Sequence, residues 1–261
     1  MITLLRRTIF VLILITIWEA ISKFDVFPAF MWPPLIIPND TGGVTVVKTL
    51  VNGIISGQLL DATGSSLIRL FIGFIIAVII GFVLGFLIYK YKIVDDTLGF
   101  FVTSLQAIPN IVWMPLAILW FGLGVGSVIF IVILGAALSI TITSSTAFKS
   151  VPPLLIRVAS TMGSSGFHLF RTVIFKSTIP QQIAGLRLAW ALAWRAVLAG
   201  ELLGGSGGLG TLLDLGRSIQ AMDLIFSIMI IIGVIGSFID NFIFVRIERF
   251  VLRKWGIQTT H

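Results

Sequence analysis

Cysteine is absent from this sequence, and histidine occurs only twice, at His168 and His261. The first absence excludes disulfides and thiolate metal sites, and two histidines are too few for a metal cluster. The phosphate-loop pattern G-x-x-x-x-G-K-[ST] is also missing. We therefore expect the chain to bind no metal or cofactor and to hydrolyse no ATP itself.

Charge is scarce as well. Charged residues make up 11% of the chain, 57% of its residues are hydrophobic and the mean hydropathy is +1.09. Such a chain cannot cover a water-facing surface, because soluble domains carry about 25% charged residues. The 261 residues have room for about six membrane spans of roughly 20 residues each. The sequence predicts an all-α polytopic membrane protein with spans at Thr8–Ser22, Leu67–Tyr89, Phe100–Phe121, Val128–Phe148, Ile183–Leu203 and Leu224–Val245.

The first apolar run follows Arg6 and Arg7, which also fits a signal peptide. No small-residue cleavage site follows it, so we interpret it as an anchor. The Pro- and Trp-containing stretch Phe24–Asp40 is typical of an extended segment in the outer headgroup layer, and Val44–Leu60 of an interfacial helix. We predict an N-terminal anchor with an outer segment over residues 1–60, and a core of five spans over 61–261.

The basic residues indicate membrane topology rather than nucleic-acid binding, although the net charge is +7. With six alternating spans, one side keeps only Lys23, Lys48 and Arg217. The positive-inside rule then places both termini and the loop Lys149–Gln182 in the cytoplasm, at the plasma (inner) membrane. The basic residues on that side are Arg6, Arg7, Lys90, Lys92, Lys149, Arg157, Arg171, Lys176, Arg187, Arg246, Arg249, Arg253 and Lys254.

The loop Lys149–Gln182 has helical signals. Pro152 and Pro153 suit the first turn of a helix, whose apolar stripe ends at Met162. Gly163 suits a left-handed cap, and Ser164 or Ser165 can cap a second, short helix. We expect Pro180 to close the loop.

Phe167, Phe170, Arg171 and Ile174 share one face of this short helix. One interpretation is that the short helix packs on the protein's own span ends or lies on anionic lipid. The other is that it docks a soluble partner, since exposed aromatics beside arginine are common interface anchors.

This segment resembles the EAA loop of permease subunits of binding-protein-dependent ABC importers, whose pattern begins E-A-A-x3-G. The matching residues are Ala159, Gly163, Val173, Phe175 and Pro180. The residues that depart from the pattern are Arg157, Val158 and Lys176.

The resemblance continues along the chain and is closest to the nitrate, taurine and aliphatic-sulfonate branch. The segments that carry it are SSLIRLFIGF, IPNIVWMPLAILWFGLG, GLRLAWALAW, Gly200–Glu201, GGLGTLL and IERFVLRKW. It implies the type I ABC importer permease architecture and import of a small, anionic solute such as nitrate, a sulfonate, taurine or bicarbonate.

The resemblance also implies partners. These are two ATPase subunits that hold the ATP and Mg, a second permease copy or a similar permease, and an extracytoplasmic substrate-binding protein. The helix after the glycine would be the coupling helix that contacts the ATPase. The residues implied in ATPase coupling are Gly163, Ser164, Ser165, Phe167, His168, Leu169, Phe170 and Arg171.

Several polar residues lie within the apolar runs. Pro109 and Pro115 are expected to remove backbone hydrogen bonds in the third run, so Gln106, Asn110 and Trp113 beside them either line a pathway or bond between helices. The carboxylates in the runs have no evident partner, and we expect them to be isolated.

Arg195 lies about 18 Å from Ile183 along a helix, hence deep in the bilayer. Glu201, six residues further on, is on a different face and is not its natural partner. Arg195 either favours an anionic substrate in the pathway, with Glu201 a further pathway candidate, or forms a structural ion pair.

Two further patterns have plainer explanations. GSGGLG (Gly205–Gly210) matches a dinucleotide fingerprint but follows a membrane helix, so we interpret it as a tight turn. Gly73, Ala77, Gly81 and Gly85 form a ladder suited to helix packing.

A self-sufficient secondary transporter or channel is the alternative function, but no inverted repeat or acid/base pair is evident. An intramembrane enzyme is disfavoured because no catalytic constellation is present.

Overall fold

The computed structural model describes residues 2–24, 28, 31–38, 44–205 and 207–254, and these residues form helices and no strand. The predicted all-α fold is therefore confirmed. The chain forms two compact units, one of Met1–Ser66 with Gly207–Val234 and the other of Leu67–Ser206 with Ile235–His261. The division at residue 60 that the sequence suggests remains a prediction.

Helices follow one another along the described ranges, separated by short turns. In chain order the α-helices are α1 Ile2–Lys23, α2 Val46–Ile55, α3 Gln58–Lys90, α4 Lys92–Val94, α5 Phe100–Gln106, α6 Met114–Phe121, α7 Val125–Lys149, α8 Pro153–Thr161, α9 Gly166–Leu169, α10 Phe175–Gly204, α11 Leu209–Ser218, α12 Met222–Ile239 and α13 Val245–Lys254. Wider π-helical turns occupy Asp95–Gly99, Phe170–Ile174 and Asp240–Phe244, and a 3-10 turn occupies Asn110–Trp113.

Four continuous helical stretches in the described residues are long and apolar enough to cross a membrane: Gln58–Lys90, Val125–Lys149, Gly166–Gly204 and Met222–Arg253. A fifth candidate span is the pair Lys92–Gln106 and Asn110–Phe121, which is bent by 98°. Five of the six predicted runs lie in helical stretches, and the run Phe100–Phe121 is interrupted at residues 107–109. Helix α1 is less apolar than expected. Arg6, Arg7 and Glu19 fall within every 18-residue stretch of α1.

Small residues bring α3 against α7 in the second unit. A Cβ atom added at Gly81 would lie 2.6 Å from the Ile140 Cβ and 3.1 Å from the Ala137 carbonyl oxygen. One at Gly85 would lie 3.1 Å from the Thr141 carbonyl oxygen. The helix backbones are therefore close together, and the packing role predicted for the glycine ladder is confirmed.

Helix α7 contacts α10 equally closely. A Cβ atom added at Gly185 would lie 2.8 Å from the Thr143 Cβ, and one at Gly200 would lie 3.4 Å from the Val128 Cα. Ser144 donates a hydrogen bond of 2.9 Å to Gln182 Oε1 across this contact. Helix α7 is thus packed closely against both α3 and α10, and this packing leaves only part of the α10 surface accessible.

The outer segment in the first unit packs on α1. The Trp18 indole donates to the Pro33 carbonyl at 3.1 Å, and its ring lies 4.3 Å from Trp32 and 4.7 Å from Phe226. Glu19 Oε1 accepts from the Ile36 backbone at 2.5 Å. The parts of Phe24–Asp40 at residues 25–27, 29–30 and 39–40 lie outside the described residues, and the predicted headgroup location remains a prediction.

Replacing Gly81 with alanine is expected to lower the free energy of unfolding by about 1–3 kcal/mol, because the new methyl group overlaps Ile140. Thermal unfolding in detergent micelles measures the change. Gly64→Ala in the same helix is the control, because nothing lies within 4 Å of its added Cβ. That change should be neutral or stabilising by up to about 1 kcal/mol. Equal destabilisation by the two variants would contradict close packing at Gly81.

Candidate functional site

Helix α8 begins and ends as the sequence predicts. It follows Pro152 and has Pro153 in its first turn, where a missing N–H has no consequence. Gly163 has a φ of +86°. Its N–H bonds to the Ser160 carbonyl at 3.0 Å and the Ser164 N–H bonds to the Ala159 carbonyl at 3.0 Å, which is the Schellman arrangement. Gly163 therefore terminates α8 and reverses the chain.

The second part of the predicted loop is helical. A single helix runs from Gly166 through Pro180 to Gly204, so Pro180 does not close the loop as expected. Two tertiary bonds hold this helix immediately after the proline, from Ser144 to Gln182 and from Ser150 to Gln181, each at 2.9 Å.

The predicted serine cap is also wrong in its chemistry. Ser165 occupies the N-cap position before α9 but makes no side-chain capping bond. The Ser164 hydroxyl is buried without a partner among the described residues.

The predicted coupling residues divide between two surfaces. Phe170 is half-buried, with its ring 4.5 Å from Phe86 and 5.1 Å from Phe148, and Ile174 is buried beside Phe148. These residues pack on the protein's own span ends, as one of the two interpretations held. Leu169 is half-buried in the same cluster.

The other residues of this segment face outward. Phe167 is 70% exposed and Met162 is 82% exposed. Their neighbours with exposed side chains are Leu154, His168 and Arg171. We call these five residues the coupling surface. It combines large apolar side chains with a guanidinium, which is the composition of an interface anchor.

A break in the third span separates the residues proposed for a pathway. Helix α5 ends at Gln106, and the chain turns at Pro109 before the 3-10 turn that begins at Asn110. Gln106 is exposed, Asn110 is half-buried against Gly135, and the buried Trp113 indole nitrogen has no partner among the described residues.

Only one of the two prolines in this span interrupts it. Pro115 is the second residue of α6, where no intrahelical bond is lost, so the expected effect of Pro115 is wrong.

Arg195 projects from α10 on an exposed stripe. Gln181, Ala184, Leu188, Ala191 and Arg195 are all exposed and recur at intervals of three and four residues, so they share one helix face. Arg195 makes no hydrogen bond or ion pair with the residues the structure describes. The structure therefore does not place Arg195 and Glu201 together.

Glu201 is instead paired with Arg69 of α3. The Arg69 Nη1 and Glu201 Oε1 atoms are 2.6 Å apart, and Glu201 is 0% exposed. Arg187 likewise holds both oxygens of Asp240, each at 2.6 Å. The expectation that the carboxylates are isolated is wrong. Their pairing could have been suspected because a buried carboxylate in an apolar run requires a cation.

Three glycines after α10 adopt backbone conformations that favour glycine. Gly205, Gly207 and Gly208 have φ values of +56°, +73° and +118°, which only glycine adopts readily. The stretch follows a helix rather than a strand, so the rejection of a nucleotide fingerprint is supported. No cluster of three His, Asp or Glu side chains suited to a metal occurs in the described ranges.

Replacing Glu201 with glutamine is expected to lower the free energy of unfolding by about 3–5 kcal/mol, because it removes the carboxylate charge that is paired with the buried Arg69 guanidinium. Asp214→Asn is the matched control at an exposed pair with Arg217, and should change stability by less than about 0.5 kcal/mol. Chemical denaturation in detergent compares the two. If both variants changed the free energy of unfolding by similar amounts, the buried pair would contribute no more to stability than the exposed one.

The family model described as "Binding-protein-dependent transport system inner membrane component" matches residues 73–255. A Methanocaldococcus jannaschii protein designated an ABC transporter permease is 34% identical over 243 residues, which cover 92% of this chain and 89% of that protein. The aliphatic sulfonates transport permease SsuC of Bacillus subtilis is 29% identical, covering 93% and 84%. The nitrate import permease NrtB of Synechocystis sp. is 29% identical, covering 69% and 65%.

The fold has a solved counterpart. A chain from the inward-facing MetNI methionine ABC transporter superimposes with a TM-score of 0.67 at 20% identity, covering 74% of this chain and 96% of that chain. At this identity the likeness supports the fold, while the family model and the sequence relatives support the role. The chain therefore belongs to the binding-protein-dependent transport system inner membrane components and is a multi-pass permease subunit of an ABC importer.

Proposed function

We propose that this permease conducts a small oxyanion and that Arg195 faces the conduction pathway. The carrying observation is that Arg195 is exposed and unpaired among the described residues, whereas Arg69 and Arg187 are paired with carboxylates. Arg195 lies about 14 Å from the Gly204 end of α10, which is near the middle of a hydrocarbon core of about 30 Å. A guanidinium at that depth requires a bundle interior or a water-filled cavity.

The exposed stripe on α10 supports this location. Alanines at 184 and 191 leave room beside the helix, and the stripe leads from Gln181 to Arg195 without a buried position. Gln106, Asn110 and Trp113 at the broken span supply further polar groups for the pathway. Glu201 is paired with Arg69, and on this proposal it stabilises the helix packing and does not contact the solute.

A sulfonate or a nitrate fits an arginine in a pathway. Nitrate is planar and a sulfonate group is tripodal. The oxygens of both accept hydrogen bonds from the parallel N–H groups of a guanidinium. Sulfonates and nitrate are the solutes named for two of the relatives. Taurine, which carries a sulfonate, and bicarbonate present the same oxygen chemistry. We therefore assign the substrate class as a small oxyanion.

The coupling surface is proposed to receive a partner ATPase, which binds the ATP and Mg. The assembly contains two ATPase copies, a second copy of this chain or a similar permease, and an extracytoplasmic binding protein that delivers the solute. Both termini and α8 lie in the cytoplasm on this proposal, in agreement with the basic residues at Arg6, Arg7, Lys149 and Arg157.

Replacing Arg195 with glutamine is expected to slow transport by about 10- to 100-fold, equivalent to the loss of one charge-assisted hydrogen bond. Uptake of labelled solute into proteoliposomes, with the ATPase and binding protein present, measures the effect. Arg195→Lys should retain part of the rate, and Arg217→Gln, at an exposed surface pair, should retain all of it. If Arg195→Gln left transport and solute preference intact while lowering only stability, the pathway proposal would be wrong.

Replacing Phe167 with alanine is expected to weaken ATPase binding by about 30-fold, which corresponds to about 2 kcal/mol for an interface anchor. Co-purification at graded ATPase concentrations provides the measurement. Phe100→Ala is the control, because Phe100 is 74% exposed but lies outside the coupling surface. Unchanged ATPase binding by Phe167→Ala, with folding intact, would reject this surface as the docking site without affecting the proposal for Arg195.

A further inference from the structure

Helix α13 has two distinct strips on its exposed surface. Arg246, Arg249 and Arg253 are exposed and recur at intervals of three and four residues. Beside them, Ile243 of the preceding turn, Ile247 and Phe250 are also exposed, with Phe250 at 69%. The exposed surface is therefore divided lengthwise into a basic strip and an apolar strip.

The acidic groups near this helix are already engaged. Glu248, the only acidic residue of α13, accepts from Arg187 of α10 at 3.1 Å. Asp240 is held by the same guanidinium. Arg246 lies 5.7 Å from the Phe242 ring, and no carboxylate in the described ranges pairs with the three arginines of α13. The basic strip therefore presents three uncompensated positive charges.

The length of the last span puts α13 at headgroup depth. The helix Met222–Arg253 has 32 residues, or about 48 Å, whereas the hydrocarbon core is about 30 Å thick. Asp223 in its first turn marks the polar end of the span. With that end at one surface, about 12 residues extend beyond the core at the other, and these residues include the basic strip.

The apolar strip continues the exposed surface of the span itself. Phe238 and Phe242 are exposed and stack at 4.6 Å just before Ile243. An apolar surface that continues into a basic strip at headgroup depth matches a lipid, which has acyl chains below its phosphate. A soluble partner would not require continuity with the span.

We infer that α13 binds anionic phospholipids of the surrounding bilayer, with the three arginines on the lipid phosphates and Phe250 at the acyl boundary. The energy expected for each basic residue near an anionic leaflet corresponds to about a fivefold gain in affinity, so three together give about 100-fold. This inference requires the membrane location of the chain but not its oxyanion pathway or its coupling surface.

The test titrates fluorescent phosphatidylglycerol and phosphatidylcholine into the purified full-length chain in dodecyl maltoside micelles. The unaltered chain should prefer phosphatidylglycerol. This preference should weaken in 0.5 M NaCl, because added salt shortens the distance over which charges interact from about 8 Å at 0.15 M towards about 3 Å at 1 M. The triple variant Arg246→Gln, Arg249→Gln, Arg253→Gln should lose the preference by up to about 100-fold.

Two controls keep the result interpretable. The triple arginine-to-lysine variant should keep the preference, since it conserves the charge, and its thermal unfolding monitors the fold of α13. Arg217→Gln removes a charge that is already paired with Asp214 and should leave the lipid preference unchanged. An unchanged preference in the triple glutamine variant overturns the inference. The inference is also overturned if the triple glutamine variant keeps its lipid preference but no longer binds the ATPase. That result would assign the basic strip to a protein partner.

Discussion

The close approach of α7 to α3 and α10 is the constraint on which the second unit depends. Lipid tails are as apolar as leucine, so helix association in a membrane relies on packing and on polar pairs rather than on hydrophobic burial. Glycines at 81, 85 and 185 allow the backbones to come together. The Arg69–Glu201 ion pair and the Ser144–Gln182 hydrogen bond then fix the rotation of the helices, because a misplaced buried polar group is costly.

That rotation determines what α10 presents. One face of α10 is covered by α7, Arg195 lies on the uncovered stripe, and the helix is continuous through Pro180. One continuous helix runs from Gly166, beside the coupling surface, to Arg195, a distance of about 44 Å. On the proposed function, ATPase movement therefore reaches the pathway through a single helix, and α13, bound to α10 through Arg187, ties the same helix to the lipid surface.

Several elements could be predicted because their signals are local. Pro153 and Gly163 delimit α8 through backbone conformations that depend on few neighbours. The glycine ladder is visible in the sequence since packing in membranes favours small residues. Other features could not be predicted. Pro180 signals a helix end, yet bonds from Ser144 and Ser150 carry the helix past it. Phe167 and Phe170 are the same residue type in one segment, but the fold leaves Phe167 exposed and Phe170 half-buried.

The sequence by itself determined the membrane class, the helical architecture, the family and the bounds of α8. These depend on hydropathy, charge placement and local backbone preferences, which are properties of short stretches. Only the tertiary structure decided which charges are paired, since Arg69 and Glu201 are 132 residues apart in the chain and meet through helix packing. It also left Arg195 exposed and α13 divided into two strips, because solvent and lipid exposure depends on which helix faces the others cover.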